Sequence, residues 1–180
     1  MKKDVFSLVT SSKNPIYIFL DTNFLIDAVR NPHKFKDIIA KLLENKLVSF
    51  VTLDSVLIEY YKGSNNQEDL KKKVEALLPL NLDIIPIDKT IVTNATELAI
   101  IYQQNGKAVS TTDYYLGGAL MKYSKSNAYM LSRDHGDFPQ TIFDKVAYLV
   151  VDYDRNVQTF VLYSFNERKY RSKAKKILVT

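Results

Sequence analysis

Four acidic side chains stand where a carboxylate could take part in chemistry. They are Asp21, Glu59, Asp113 and Asp134. Asp21 directly follows an apolar run at residues 16–20, and Asp134 follows an apolar stretch that we predict to be a strand. Glu59 lies inside a predicted helix, Asp113 opens another, and Asp137 comes three residues after Asp134. Ligands bind at the carboxyl ends of strands in α/β sheets, so these acids form a candidate charged site.

Several carboxylates in one place need a chemical reason, because their charges repel and raise their affinity for protons. A divalent cation relieves that repulsion, and oxygen ligands alone select Mg²⁺ or Mn²⁺ over Zn²⁺. Such an ion polarises a phosphodiester and lowers the pKa of a bound water. The acids therefore suggest hydrolysis of phosphodiester bonds with a divalent cation.

Each acid also has an ordinary structural explanation. Asp21 and Asp113 suit the start of a helix, where an acid caps the backbone or interacts favourably with the helix dipole. Glu59 could be a solvated side chain of its helix, and Asp134 and Asp137 lie in a polar loop, where acids are common. These explanations would all have to hold together to remove the site, so both interpretations stay open.

A scaffold for the acids follows from the alternation of apolar strands and helical patterns. Strands are predicted at residues 16–20, 47–51, 83–87, 127–131 and 147–151, with 158–165 as a further candidate. Helical spacing of apolar residues fills most of the intervals between them. The alternation predicts an α/β fold with a mostly parallel sheet of about five strands. In such a sheet Asp21, Asp113 and Asp134 reach one edge, and Glu59 can lean onto it.

Length and composition predict one domain with an appended tail. We place the domain at residues 1–155, with a lead-in that is irregular or forms a short extra element, and an extension at residues 156–180. The linker is expected near residues 152–156. The chain has no Cys, which excludes disulfides and thiolate metal sites. It shows no signal peptide and no apolar run long enough to span a membrane, so we expect a cytoplasmic protein without membrane contact.

The net charge is concentrated at the C-terminal end. Residues 166–180 carry six Lys and Arg side chains and one acid, which accounts for the whole formal net charge of +5. This tail could contact nucleic acid or be a solvated end. Its candidate phosphate contacts are Arg168, Lys169, Arg171 and Lys173.

Four short motifs, taken in order, resemble those of the PIN domain family. They are Leu20-Asp21-Thr22-Asn23, Ser55-Val56-Leu57-Ile58-Glu59, Thr112-Asp113-Tyr114-Tyr115-Leu116-Gly117-Gly118-Ala119 and Leu131-Ser132-Arg133-Asp134-His135-Gly136-Asp137-Phe138. No single motif is specific, but the ordered set is. The family comprises metal-dependent ribonucleases, including the VapC-type toxins of toxin–antitoxin pairs.

The resemblance implies a three-layer α/β/α sandwich and an acidic cluster that holds Mg²⁺ or Mn²⁺. By motif match, the four acidic positions of the family fall on Asp21, Glu59, Asp113 and Asp134, with Asp137 as an accessory acid. Asn23 and Ser132 match polar residues that orient ligands or water. Gly117 and Gly118 are unusual inside a helix, since each costs about 1 kcal/mol relative to Ala. We expect them to let their helix press closely on the first strand.

The leading hypothesis is a metal-dependent endoribonuclease that acts on RNA and prefers single strands. It includes a role as the toxin of a toxin–antitoxin pair, with an antitoxin protein as partner and a homodimer as a further expected assembly. One alternative is a catalytically silent PIN-like module for RNA binding or assembly, although no acid of the set is missing. Another is a different phosphohydrolase with oxygen ligands on a similar sheet.

Overall fold

The computed structural model describes residues 4–104, 106, 109–153 and 156–177, with the backbone alone at 176 and 177. Its strands are β1 (Ile16–Leu20), β2 (Val48–Leu53), β3 (Asp83–Ile85), β4 (Ala128–Ser132), β5 (Phe143–Tyr153) and β6 (Asn156–Phe165). These six strands form one sheet in the order β3-β2-β1-β4-β6-β5. β3 is thus an edge strand, as expected from Pro86, which follows it directly.

The sheet combines a parallel part with an antiparallel hairpin. β1 pairs in parallel with β2 and with β4, and β2 pairs in parallel with β3. β6 runs antiparallel to both of its neighbours, β4 and β5. The predicted α/β fold is therefore confirmed, and so is the candidate strand at residues 158–165. The sheet has six strands where about five were predicted, because the further candidate forms β6.

Helices cover both faces of the sheet in the three layers that the resemblance implied. They are α1 (Val5–Thr10), α2 (Thr22–Arg30), α3 (Pro32–Leu43), α4 (Asp54–Lys62), α5 (Gln67–Leu77), α6 (Lys89–Gln104), α7 (Thr111–Lys122) and α8 (Glu167–Ile177), with a 3-10 turn at Leu78–Leu80. On one side α3 packs against α1 and α2 and also contacts β2 and β5. On the other side α7 packs against α6 and contacts β4 and β6.

Aromatic side chains pack two of the helices against the sheet. The ring of Phe24 in α2 lies 5.2 Å from that of Phe35 in α3 and 5.4 Å from that of Phe160 in β6, measured between centroids. All three side chains are fully buried. They join two helices to the interior strand, which fixes the direction in which α2 leaves β1.

The glycine pair of α7 faces α6, and our expectation that it faces the first strand is wrong. A Cβ atom on Gly118 would lie 2.6 Å from the backbone oxygen of Ile91. A Cβ atom on Gly117 would lie 2.7 Å from Cδ1 of Leu98. Ile91 and Leu98 both belong to α6. The two glycines therefore allow the backbones of two helices to approach each other closely.

The lead-in at residues 1–14 contains a short extra element, α1, which packs on α3 and β5. The predicted linker falls partly on residues 154 and 155, which lie outside the described part of the chain. The division after residue 155 stays a prediction, and β6, which begins at Asn156, is an integral strand of the sheet. Within the described residues, no helix is long and apolar enough to cross a membrane.

Candidate active site

The predicted acids meet at the carboxyl ends of β1 and β4. These strands are parallel neighbours, and Leu20 pairs with Leu131 near their ends. The chain leaves β1 towards β2 on one side and reaches β4 on the other side only later, so this edge is a topological switch point. A cavity of about 450 Å³ opens there, which we name the acid cavity. Its lining includes Asn23 and all five predicted acids, Asp21, Glu59, Asp113, Asp134 and Asp137.

Asp21 is the most deeply buried of these acids, with 3% of its surface exposed. Its Oδ1 accepts a hydrogen bond from the backbone N–H of Phe24 at 2.8 Å, which caps α2. Its Oδ2 accepts one from the hydroxyl of Ser132 at 2.5 Å. Burial raises the pKa of Asp21 to about 7 despite these two bonds. The capping explanation is therefore correct for Asp21, and the same carboxyl also lines the cavity.

Ser132 is fully buried and connects the ends of the two strands. Its hydroxyl donates to Asp21 and accepts a hydrogen bond from the backbone N–H of Asp134 at 3.0 Å. Ser132 is not among the residues that line the cavity. It acts on the site by fixing the positions of Asp21 and Asp134.

Glu59 reaches the cavity from α4, which starts immediately after β2. Its Oε2 accepts a hydrogen bond from the hydroxyl of Thr22 at 2.7 Å. The first turn of α4 is fixed by Asp54, whose Oδ2 accepts a hydrogen bond from the backbone N–H of Ile87 at 3.2 Å. Contacts of α4 with α2 and α7 complete its placement. Glu59 is an exposed residue, yet it has a defined partner across the cavity.

Asp113 lies in the first turn of α7, where Ser110 is the N-cap. The Ser110 hydroxyl accepts a hydrogen bond from the backbone N–H of Asp113 at 3.1 Å and donates one to its Oδ2 at 2.6 Å. Burial raises the pKa of Asp113, and the charges of Glu59 and Asp134 raise it further. The helix start thus holds the carboxyl at the cavity, among other acids.

Asp134 and Asp137 belong to the loop after β4. Oδ1 of Asp134 accepts a hydrogen bond from the backbone N–H of Gly136 at 3.2 Å, which tightens the turn. Burial, together with the charges of Asp113 and Asp134, raises the pKa of Asp137 to about 7. The loop is anchored by Phe138, which is buried with its ring centroid 5.6 Å from that of Phe143. The carboxylates of Asp113, Asp134 and Asp137 are thus close enough to repel one another.

The chemical type of this lining suits a hard divalent cation, but the side chains do not enclose one. The ionisable groups that the described residues place on the lining are all carboxylates, and oxygen is the ligand that Mg²⁺ and Mn²⁺ prefer. Among the residues that the structure describes, no three acids or histidines lie close enough together to form a metal-binding group. Holding an ion would require the carboxylates to move towards one another, which their repulsion opposes until a cation is present.

Sequence reasoning missed a partly buried ion pair between α2 and the loop after β4. Asp27 in α2 is 6% exposed, and its Oδ2 accepts a hydrogen bond from Nη1 of Arg133 at 2.6 Å. The same nitrogen donates to Oε1 of Gln158 in β6 at 2.9 Å. Through these two hydrogen bonds, Arg133 connects α2 and β6 to the start of the loop after β4. The available signal was an acid in the otherwise apolar face of α2.

The basic residues that we predicted to contact nucleic acid lie at a different place, on α8. Arg168, Lys169 and Lys173 line a separate cavity of about 620 Å³, which we name the α8 cavity. Lys169 is engaged there, because its Nζ donates to Oδ1 of Asp144 at 2.6 Å. Arg171 pairs with an acid of its own helix and is not on the lining. Binding of nucleic acid at this helix stays a prediction.

The family model described as PIN domain matches residues 18–141. The match covers well over half of the chain, and the chain belongs to the PIN domain family. PIN domains are in general nucleases, and PIN nucleases typically use divalent metal ions.

Two solved structures resemble the chain at low sequence identity. One is VapBC2 from Rickettsia felis bound to a DNA fragment from its promoter, with 20% identity, a TM-score of 0.52, and coverage of 64% of this chain and 97% of that chain. The other is DNA-bound VapBC from Salmonella typhimurium, with 14% identity, a TM-score of 0.49, and coverage of 63% and 83%. At 20% identity, the likeness to the Rickettsia felis structure shows a shared fold. None of the curated proteins matches the chain.

Proposed function

We propose that the chain is a metal-dependent endoribonuclease that hydrolyses phosphodiester bonds of single-stranded RNA. The observation that carries this proposal is the cavity lined by five carboxylates at the switch point of the sheet. Burial raises the pKa of Asp21, Asp113 and Asp137, and mutual repulsion adds to it. A cation that binds there removes this unfavourable energy, and membership of the PIN family supports a hydrolase.

The ion would be Mg²⁺ or Mn²⁺, held by carboxylates from Asp21, Glu59, Asp113, Asp134 and Asp137. When bound, it supplies Lewis-acid polarisation of the phosphodiester and lowers the pKa of a water molecule. Asp21 is fixed in advance by the N–H of Phe24 and the hydroxyl of Ser132, so little side-chain entropy is lost when it binds a cation. Thr22 restrains Glu59 in the same way. Asn23 lines the cavity with an amide that can orient water or a phosphate oxygen.

Replacement of Asp21 by Asn tests the proposal. The Asp21→Asn variant removes a charge without changing the shape of the side chain, so cleavage should fall by roughly 100-fold or more, as for loss of one catalytic group. The measurement is cleavage of labelled single-stranded RNA with Mg²⁺, with Mn²⁺ and with EDTA. Asp37, an exposed acid of α3, provides the matched control Asp37→Asn, which should cleave normally. Wild-type cleavage that persists in EDTA would contradict the metal mechanism.

A catalytically silent RNA-binding module is the second candidate. The observation in its favour is that no three described acids are close enough to form a metal-binding group. Thermal melting with and without Mn²⁺ separates the two, because an ion that binds the native state raises the melting temperature. A rise that disappears in the Asp21→Asn, Asp113→Asn double variant supports the nuclease. RNA binding with neither a rise nor cleavage supports the silent module.

We also propose that the chain is the toxin of a toxin–antitoxin pair and binds an antitoxin protein. The similar Rickettsia felis fold comes from a VapBC2 complex. An apolar cavity of about 410 Å³ between α2, α3 and the end of α5, lined by Phe35, Ile39 and Leu43 among others, could accept apolar side chains of such a partner. A small DNA-binding protein encoded next to the gene should co-purify with the chain and suppress RNA cleavage. Co-expression without a complex would contradict this part of the proposal.

A further inference from the structure

A second cavity adjoins the acid cavity. It measures about 390 Å³ and lies between α2, α4 and α5. Ile26 and Glu59 line both cavities, so the two are direct neighbours. A ligand bound in the acid cavity that extends past Glu59 enters this second space. We name it the basic cavity, for the cations on its lining.

Three cations from two helices line the basic cavity, namely Arg30, Lys72 and Lys73. Arg30 lies in the last turn of α2. Nζ of Lys73 donates to the backbone oxygen of Tyr60 at 3.3 Å and lies 5.6 Å from the centroid of the Tyr60 ring. The ammonium of Lys73 is therefore held between α4 and α5, facing the space that Glu59 borders.

Lys72 is the most adaptable of the three. It pairs with Glu68 at 2.8 Å one helical turn away, and both side chains are largely exposed, at 70% and 76%. Exposed pairs of this kind contribute little to stability, so a phosphate can readily displace Glu68.

Acids on the same lining are already engaged by hydrogen bonds. Oε2 of Glu59 accepts from Thr22, and Oδ2 of Asp69 accepts from the backbone N–H of Asn65 at 3.0 Å. Among the described residues, the lining of the basic cavity thus carries three cations and two acids, whereas the charged groups on the lining of the acid cavity are all acids. Tyr60 also lines the basic cavity at 5% exposure, and its buried hydroxyl has no hydrogen-bond partner among the described atoms.

The α8 cavity is less suited to phosphates near the acids. It shares no lining residue with the acid cavity. It also lies beside the carboxyl end of β6. Because β6 runs antiparallel to β4, the carboxyl ends of these two strands point in opposite directions, and the α8 cavity lies away from the acids. The basic cavity, in contrast, is reached by passing Glu59.

We infer that the basic cavity binds a backbone phosphate of single-stranded RNA, next to the nucleotide that occupies the acid cavity. The inference rests on the proposed function, because it takes RNA as the substrate. A strand that lay against the acids alone would meet only negative charge. Arg30, Lys72 and Lys73 supply positive charge on one side of the scissile phosphate and direct the strand between α2 and α5.

The test measures RNA binding across a salt series by fluorescence anisotropy, in the Asp21→Asn background so that the RNA stays intact. The Arg30→Gln, Lys72→Gln double variant removes two of the three cations around that phosphate. It should flatten the slope of log affinity against log salt by about 0.7, the contribution of one neutralised phosphate of a single strand. The control is Lys71→Gln with Lys125→Gln, which removes the same charge from exposed positions that do not line the cavity. The control should leave the slope nearly unchanged.

Each outcome decides the inference. A slope that is flattened in the cavity variant and not in the control supports it, provided that both variants melt like the parent protein. Equal slopes in all proteins, or equal flattening by the control, overturn it and leave RNA as the substrate. Specific binding of an acidic peptide that depends on Arg30 and Lys72, without such dependence for RNA, also overturns it. If the background protein binds no RNA and the wild type cleaves none, both the proposed function and the inference are wrong.

Discussion

At the scale of single residues, the side chain of Ser132 positions two acids of the candidate site. One hydroxyl donates to the carboxyl of Asp21 and accepts from the backbone of Asp134. The hydroxyl lies at zero exposure, so water cannot replace it when it is removed. The positions of Asp21 and Asp134 therefore depend on one hydroxyl oxygen, although Ser132 does not line the cavity.

Replacement of Ser132 by Ala should destabilise the protein by about 1–3 kcal/mol, because it leaves a buried oxygen of Asp21 without its hydrogen-bond partner. The pKa of Asp21 should rise further, since the bond from Ser132 lowers it. Ser132→Thr keeps the hydroxyl and should retain most of the stability and of the metal response. Urea unfolding of the three proteins measures the difference. An equal loss in Ser132→Ala and Ser132→Thr would show that packing, and not the hydroxyl, is responsible.

The raised pKa of Asp21 should make the metal-free protein less stable as the pH rises. Below the usual pKa of 3.8, the carboxyl is protonated in both the folded and the unfolded chain and has no effect. Between 3.8 and about 7, the folded chain keeps a proton that the unfolded chain has lost, so the free energy of unfolding falls with increasing pH. The loss approaches roughly 4 kcal/mol at its upper limit. Thermal melting in EDTA across this range measures it.

Asp21→Asn should flatten that decrease, because Asn does not titrate. Part of it should remain, since the pKa of Asp137 is also about 7. A wild-type stability that is constant or rises over the same pH range would contradict the burial of a carboxyl acid at this position.

The acids themselves could be predicted because each stands in an unusual local context. Their supporting contacts could not, because they join residues that are far apart in the chain. Thr22 and Glu59 are 37 positions apart, and Asp27 and Arg133 are 106 apart. No local pattern specifies such pairs. They are decided by how α2, α4 and the loop after β4 pack together.

At the scale of elements, the contact between α6 and α7 places Asp113. The closest approach is at Gly118, where the backbones of the two helices nearly touch. The sequence correctly predicted that small residues allow a close approach in this helix. It could not reveal which element approaches, because periodicity identifies a face of a helix and not the partner on that face.

Gly118→Ala should destabilise the protein by about 1–3 kcal/mol, as overpacking usually does. The added Cβ would lie 2.6 Å from a backbone oxygen, and a helix backbone cannot move aside as a side chain can. Gly63→Ala is the control, because its Cβ would meet only Nζ of Lys73 at 3.4 Å, the movable end of a long side chain. Chemical denaturation of both variants tests the difference. Similar stabilities for the two would contradict the helix contact as described.

At the scale of the whole molecule, the acid cavity and the basic helix α8 lie at opposite ends of the strands. The acid cavity lies at the carboxyl ends of β1 and β4, and α8 follows the carboxyl end of β6, which is antiparallel to β4. Tyr170 of α8 donates a hydrogen bond to Glu97 of α6, and its ring centroid lies 5.5 Å from that of Phe165. The first part of the basic tail is thus a packed helix, so point replacements test its role better than deletion.

Arg168→Gln with Lys173→Gln should weaken binding of long single-stranded RNA and leave binding of a dinucleotide unchanged. Val161 pairs with Ser132 at the acid cavity, and Phe165 at the end of β6 is four residues further, about 13 Å along the strand. A dinucleotide held by the acids is too short to reach α8 across that distance. Salt series with both RNA lengths in the Asp21→Asn background provide the measurement. If the replacements leave the salt slope of the long RNA unchanged, α8 does not contact its phosphates.

The alternation of strands and helices was sufficient to predict the fold class and the edge at which the acids meet. The position of β6 was not predictable in this way. Residues 158–165 read as a strand from their composition, but nothing in them indicates that they insert between β4 and β5. Strand order is set by the packing of the whole sheet, and a parallel sheet with an antiparallel hairpin has the same local pattern as one without.

The interior place of β6 has a consequence for the order of events during synthesis. All five acids precede residue 138, yet the strand that pairs with Ser132 and carries Gln158 to Arg133 is not made until residues 156–165. A growing chain on the ribosome therefore carries every acid of the site before it can fix the loop that holds two of them. The geometry of the cavity is completed only after β6 has been translated and has paired with β4, which is later than the synthesis of the last acid.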